Sequence, residues 1–246
     1  MNLVLDLGNT YGKIAVCDHN KVIEAATYEK ISSREISYFH IRYSGLNGAI
    51  ISSVVNYSRE IIDYLSMLYG TCIELNHSTP TPLKNKYLTP ETLGYDRIAS
   101  AVGAYTICPG KNVLVIDAGT AITYDIVTSK GEFLGGNISP GIEIRFKSLN
   151  RYTNRLPHLE RPAEIPSLVG SSTREAIQSG VVNGLLFEMD GFIGAISKKY
   201  PKLQVVLTGG DAKYFVGKLK NSIFVDPNLN LIGLNRILEH NAEREN

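Results

Sequence analysis

The chain opens on short apolar runs rich in β-branched residues. NLVLDLG (2–8), KIAVCD (13–18), VIEAATY (22–28) and GAIISSV (48–54) have the length and composition of strands. This pattern predicts a first stretch of some fifty-five residues made of strands. The spacing then changes. YSREIIDYLSMLY (57–69) places apolar residues at helical intervals, with Ser58 positioned to cap the start. TCIEL (71–75) returns to strand character. The segment 77–97, HSTPTPLKNKYLTPETLGYDR, holds three prolines and reads as a long loop, a kind of segment that often carries function. DRIASAVGAYTI (96–107) follows as a helix with Asp96 in its first turn.

The pattern then restarts. NVLVIDAGT (112–120), AITYDIVT (121–128) and EFLGGNISPG (132–141) read as strands, the last running into a glycine-rich turn. IEIRFKSLNRYT (142–153) has helical spacing, and 155–170 is irregular. Residues 172–200 have the length and periodicity of one long helix. LQVVLTGGDA (203–212) is a strand entering a Gly-Gly turn. YFVGKLK, IFVD and NLIGLNRILEHNAE complete the chain as helix, strand and helix. Strands followed by helices, twice over, predict an α/β protein of two similar halves, 1–110 and 111–246, with a cleft between them.

One short device is written twice. Asp6 and Gly8 in VLDLGNTYGK correspond to Asp117 and Gly119 in VIDAGTAITYD, 111 positions later. Each copy ends an apolar run with an acid, one residue and a glycine, and carries a threonine, Thr10 or Thr120. Glycine at such a bend lets the backbone approach a ligand, and successive N–H groups form an anion-binding nest. Lys13 adds a positive charge within reach of a phosphate. A carboxylate beside such a nest would repel phosphate unless a cation lies between them. The pattern therefore fits a polyphosphate bridged by a hard, oxygen-liganded cation. A strand ending in Asp-x-Gly also serves as an ordinary turn; the second copy, Lys13 and the late Gly-Gly turn favour the phosphate reading. Asp96 and Arg97 are open to two readings, a helix cap with a solvated arginine or an acid–cation pair for an acidic acceptor.

Composition narrows the setting. The net charge of +1 over 246 residues favours neither nucleic acid nor an anionic membrane surface. No run approaches the roughly 20 apolar residues of a membrane span. Three separated cysteines suit a reducing compartment, and the start has no secretory pattern, so a cytoplasmic protein is expected.

Taken together, these motifs resemble those of type III pantothenate kinases, of the acetate and sugar kinase/Hsc70/actin superfamily. DLGNTYGK (6–13) resembles the family's first phosphate motif, GYDR (94–97) its G-x-D-R motif and DAGTAIT (117–123) its second phosphate motif. GGNISPG (135–141) and GSSTREAIQSG (170–180) also fit. The resemblance covers nearly the whole chain and implies two actin-like, ribonuclease H-like halves. It implies that Asp6, Leu7, Gly8, Asn9, Thr10, Tyr11, Gly12 and Lys13 bind ATP, with Thr120 as a further contact. Tyr87, Gly94, Tyr95, Asp96, Arg97 and Thr173 would line the pantothenate site, with Asp96 accepting the proton. Asp117 would bind a monovalent cation, K⁺ or NH₄⁺, and Mg²⁺ would accompany ATP. The TGGDA turn would lie near adenosine. A homodimer sharing its acceptor site across the interface is implied as well. Two rivals stand beside this reading: a superfamily kinase for another small acceptor, and a non-catalytic regulatory relative.

Overall fold

The computed structural model describes residues 1–8 and 11–245. The chain divides into two compact units. The first contains residues 1–111, 127–135 and 228 onward; the second contains 112–126 and 136–227.

The first unit is built on strands β1 (Asn2–Leu7), β2 (Gly12–Asp18), β3 (Lys21–Tyr28), β4 (Gly48–Ser53) and β5 (Thr71–Glu74). Their order across the sheet is β3-β2-β1-β4-β5. The pairs β1–β2 and β2–β3 are antiparallel, whereas β1–β4 and β4–β5 are parallel. Helices α1 (Ser33–Arg42) and α2 (Arg59–Leu68) connect the parallel strands, and α3 (Tyr95–Ile107) follows the long loop. That loop contains the two-residue strand β6 (Lys84–Asn85) and a one-turn 3₁₀ helix at Pro90–Thr92.

The second sheet uses β7 (Val113–Ala118), β8 (Ala121–Val127), β9 (Glu132–Pro140), β10 (Gln204–Thr208) and β11 (Phe224–Val225) in the order β11-β10-β7-β8-β9. This repeats the order of the first sheet strand for strand, and again the first, fourth and fifth strands run parallel. β6 pairs with the start of β9, Lys84 opposite Glu132, within the first unit. Helices α4 (Ile142–Arg151) and α5 (Thr173–Lys199) precede β10, and α6 (Ala212–Phe215) follows it. The last helix, α7 (Leu229–Glu245), belongs to the first unit.

Alternation along β1 sorts its residues onto two faces. Leu3, Leu5 and Leu7 pack with Ile36 and Phe39 of α1 and with Ile61 and Leu65 of α2. Val4 faces the other way and packs with Ala99 and Val102 of α3 and Leu231 and Leu234 of α7. The second unit has its own core, in which Leu114, Ile116 and Leu207 of the sheet meet Phe146 of α4 and Val182, Leu185 and Met189 of α5.

Two local expectations need correction. The first fifty-five residues are not all strands, because α1 lies between β3 and β4. Its start is fixed by a capping box: Ser32 accepts from the helix backbone while the Ser32 N–H donates to Glu35 Oε2 at 2.8 Å. Only the first residues of YFVGKLK are helical. α6 stops at Phe215, and Gly217 adopts φ +72°, which turns the chain out of the helix.

Candidate active site

The first turn joins β1 to β2. Gly8 N–H donates to the Tyr11 carbonyl at 3.1 Å. Asn9 and Thr10 lie outside the described residues. Asp6 stands opposite Lys13 on one neighbouring strand and opposite Ser52 on the other. The pleat places all three on the face that α3 and α7 cover. Ser52 is buried, and its hydroxyl has no hydrogen-bond partner among the described residues. Asn230, in the first turn of α7, donates from Nδ2 to Asp6 Oδ2 at 3.2 Å. Burial pushes the Asp6 carboxyl up to about 6; the Lys13 charge pulls it down, the Asp96 charge pushes it up, and the Asn230 bond pulls it down. Tyr11 is exposed, and Leu7 and Gly12 are buried beside a cavity of about 620 Å³ that also reaches Gly8.

The GYDR segment begins α3 in the same unit. Gly94 is the N-cap, and Asp96 Oδ1 accepts the Arg97 N–H at 2.8 Å. The carboxylate therefore sits at the positive end of the helix. Arg97 is 6% exposed, so it is not the solvated arginine of the simpler reading. Its guanidinium carbon lies 5.3 Å from the centroid of the Tyr87 ring, a cation–π distance. Tyr87 is held in turn: its ring lies 6.2 Å from that of Phe133, and it covers Gly135, where a Cβ would sit only 2.6 Å from the ring. Tyr95 lines a cavity of about 510 Å³ with Ser53, Asn56, Arg59, Glu74 and Asn76. Thus Asp6, Gly8, Lys13, Tyr87, Gly94, Tyr95, Asp96 and Arg97 come from three separate stretches of sequence into one unit.

The second turn joins β7 to β8 in the other unit. It is one residue tighter, with Gly119 N–H donating to the Ala121 carbonyl at 3.0 Å. Asp117 is half-buried and Thr120 is exposed. Backbone closes around them. Gly141 N–H donates to the Thr120 carbonyl at 3.0 Å, and Asp211 N–H donates to the Ala118 carbonyl at 2.9 Å. The TGGDA turn is therefore seated on the second acid–glycine turn. Gly209 has φ +97°, and a Cβ there would collide with the Ala118 carbonyl and approach Asp117 Oδ1 to 2.5 Å. The donors around Asp117 are a carboxylate and backbone carbonyls, a set that fits a hard cation. Among the described residues, no group of three or more His, Cys, Asp or Glu side chains is placed to hold a metal. Thr173 opens α5 in this unit and is exposed, with Ser172 as the N-cap.

Sequence reasoning missed Asn230 and Ser52. The first carries no local motif. The second lies in GAIISSV, where the register with Asp6 is visible only once β4 is paired with β1.

Two sheets of the same strand order, each with an acid–glycine turn between its first two strands, define an actin-like α/β fold. The fold is shared with a Campylobacter jejuni protein described as a member of the Baf family of transcriptional activators. That likeness has a TM-score of 0.61 at 23% identity over 98% of this chain and 99% of that one. It is shared also with the activator of 2-hydroxyisocaproyl-CoA dehydratase from Clostridium difficile, which has ADPNP bound. There the TM-score is 0.54 at 12% identity over 99% and 96% of the two chains. A family model described as type III pantothenate kinase matches residues 2–195. A type III pantothenate kinase of Phocaeicola vulgatus is 46% identical over 98% of this chain and 99% of its own. The chain belongs to the type III pantothenate kinase family.

Proposed function

We propose that this kinase transfers the γ-phosphoryl group of ATP to the primary hydroxyl of pantothenate, giving ADP and 4′-phosphopantothenate in the first step of coenzyme A biosynthesis. Besides family membership, one observation carries the reading. The turn that bears Asp6, Gly8 and Lys13 shares a unit with Asp96, close enough for the Asp96 charge to act on the Asp6 carboxyl. A phosphate-binding turn beside a second acid is the arrangement needed to bring an acceptor hydroxyl to a γ-phosphate.

In this reading the stretch Asp6–Lys13 and Thr120 hold ATP. Tyr87, Gly94, Tyr95, Arg97 and Thr173 hold pantothenate, with buried Arg97 supplying the cation for its carboxylate. Asp96 orients the hydroxyl and takes its proton as the oxygen bonds to phosphorus and the bond to ADP breaks. Mg²⁺ arrives with ATP and offsets charge on its phosphates. Asp117 and neighbouring carbonyls hold K⁺ or NH₄⁺. The enzyme works as a cytoplasmic homodimer. Support for the dimer comes from α5, where Gly180, Gly184, Gly191 and Gly194 face open space beside exposed Phe187. Light scattering at assay concentration tests it, and a monomer would end it.

ATP turnover measured with and without pantothenate, with the product identified by mass, tests the activity itself. ADP release that depends on pantothenate is expected. ATP consumption unaffected by pantothenate, or no consumption, would overturn the proposal.

A further inference from the structure

Asp6 is reached by a side chain 224 positions away in the sequence. Asn230 Nδ2 donates to its Oδ2, and the other end of the same amide is also engaged. Ser100 Oγ, on α3 one turn beyond Asp96, donates to Asn230 Oδ1 at 2.9 Å. An amide whose oxygen accepts a hydroxyl proton must present its NH₂ group in the opposite direction, toward the carboxylate. Ser100 is buried, so this orientation is not exchanged for one to water.

The backbone makes the relay possible. α3 and α7 cross where Gly103 and Gly233 meet, and a Cβ on either would collide with the other helix, at the Leu229 carbonyl for Gly103 and at the Ala99 carbonyl for Gly233. Such close approach brings two short side chains, Ser100 and Asn230, within hydrogen-bond reach. Further along α7, Asn235 performs a different task. It is buried, accepts from Asn2 Nδ2 at 2.8 Å and donates to the His19 carbonyl at 2.6 Å and to Glu239 at 3.0 Å. Those bonds tie the helix to the opposite end of β1 and touch no residue of the site.

We infer that Asn230, oriented by Ser100, is a positioning residue that aims the Asp6 carboxylate at the nucleotide's phosphate end, so that the last helix of the chain completes the first acid–glycine turn. The inference rests on the nucleotide-binding role proposed for that turn and needs no particular acceptor.

The test compares Asn230→Ala, Ser100→Ala, the double variant and Asn235→Ala. Calorimetry with Mg²⁺ and a non-hydrolysable ATP analogue gives nucleotide affinity, and steady-state kinetics gives kcat and both KM values. A hydrogen bond to a charged group sets the scale for Asn230→Ala: about tenfold to a hundredfold weaker nucleotide binding and a matching rise in KM for ATP. KM for pantothenate should stay within about twofold. Ser100→Ala should produce a smaller change in the same direction. The double variant should match Asn230→Ala alone, because the relay is already broken. Asn235→Ala should lower the melting temperature and leave nucleotide affinity intact.

The inference is overturned if Asn230→Ala binds nucleotide like the parent protein. It is overturned also if Asn230→Ala and Asn235→Ala weaken binding alike, or if the Ser100 and Asn230 effects simply add. Should Asn230→Ala fail to fold, Ser100→Ala decides, since it leaves Asn230 in place. A parent protein that binds nucleotide but ignores pantothenate would defeat the proposed acceptor and leave this test standing.

Discussion

The two acid–glycine turns carry the same short device and surround it differently. Asp6 is set among side chains: Lys13 and Ser52 beside it in the sheet, and Asn230 bonded to its carboxylate. Asp117 is set against backbone: the Gly209 turn lies against its carboxylate, and the carbonyls on either side of Gly119 accept from Asp211 and Gly141. A setting of side chains tunes charge, since each neighbour raises or lowers the cost of ionising the acid. A setting of backbone fixes shape, since peptide groups cannot rotate away and a single added carbon collides. One motif thus yields a titratable acid in one unit and a rigid oxygen-lined notch in the other.

If the first setting governs the chemistry, the largest loss should come from its neighbour Asp96. Asp96→Asn is expected to lower kcat by about 10²–10⁴-fold with nucleotide affinity nearly intact. Turnover within threefold of the parent would reduce Asp96 to a helix-start residue.

The second setting should govern the cation. Activity measured in Na⁺ or Tris buffer should rise when K⁺ or NH₄⁺ is added. Asp117→Ala should abolish that response along with most of the activity. Equal rates in all these buffers would break the contrast.

Shape should also be less forgiving than charge. Gly209→Ala forces a Cβ against the Ala118 carbonyl at φ +97° and should cost about 1–3 kcal/mol in urea unfolding. Gly119→Ala meets its nearest neighbour at 3.7 Å, an ordinary contact, and should fall within about 0.5 kcal/mol of the parent.

The charge on Asp6 has the least intuitive sign. Asp6 is raised from 3.8 to about 6, so between those values the folded protein binds the proton more tightly than the unfolded chain does. Stability therefore falls as pH rises through that window and stays reduced above it. Asp6→Asn should stabilise the nucleotide-free protein by about 1–3 kcal/mol at pH 7 and by almost nothing near pH 4. The same change should weaken nucleotide binding. A thermal melt series across pH 4–8 reads both ends, and a destabilised Asp6→Asn at pH 7 would contradict the tuned-charge account.

Much of this was legible in the chain. Strand-length β-branched runs marked β1, β4, β7 and β10, and Ser58 marked the start of α2. The duplicated Asp-x-Gly announced two related sheets before any strand was paired. α1 had a readable signal, Ser32 followed three residues later by Glu35, with Ile36 and Phe39 at helical spacing, but the strands around it masked it. The expectation that residues 111–246 form one half does not describe α7, which packs on α3 in the first unit.

Local sequence determined what each segment becomes, because side-chain periodicity, caps and glycine turns act over a few residues. Those same local rules set the acids at the ends of their strands and the spacing of Asp96 and Arg97 at the head of α3. Tertiary structure alone decided which distant segments meet. The last helix could return to the first sheet because Gly103 and Gly233 let two backbones touch, and because burying Leu231, Leu234 and Ile237 offsets the modest entropy of closing so long a loop. The bond from Asn230 to Asp6 is a consequence of that return, which is why no pattern within reach of either residue foretells it.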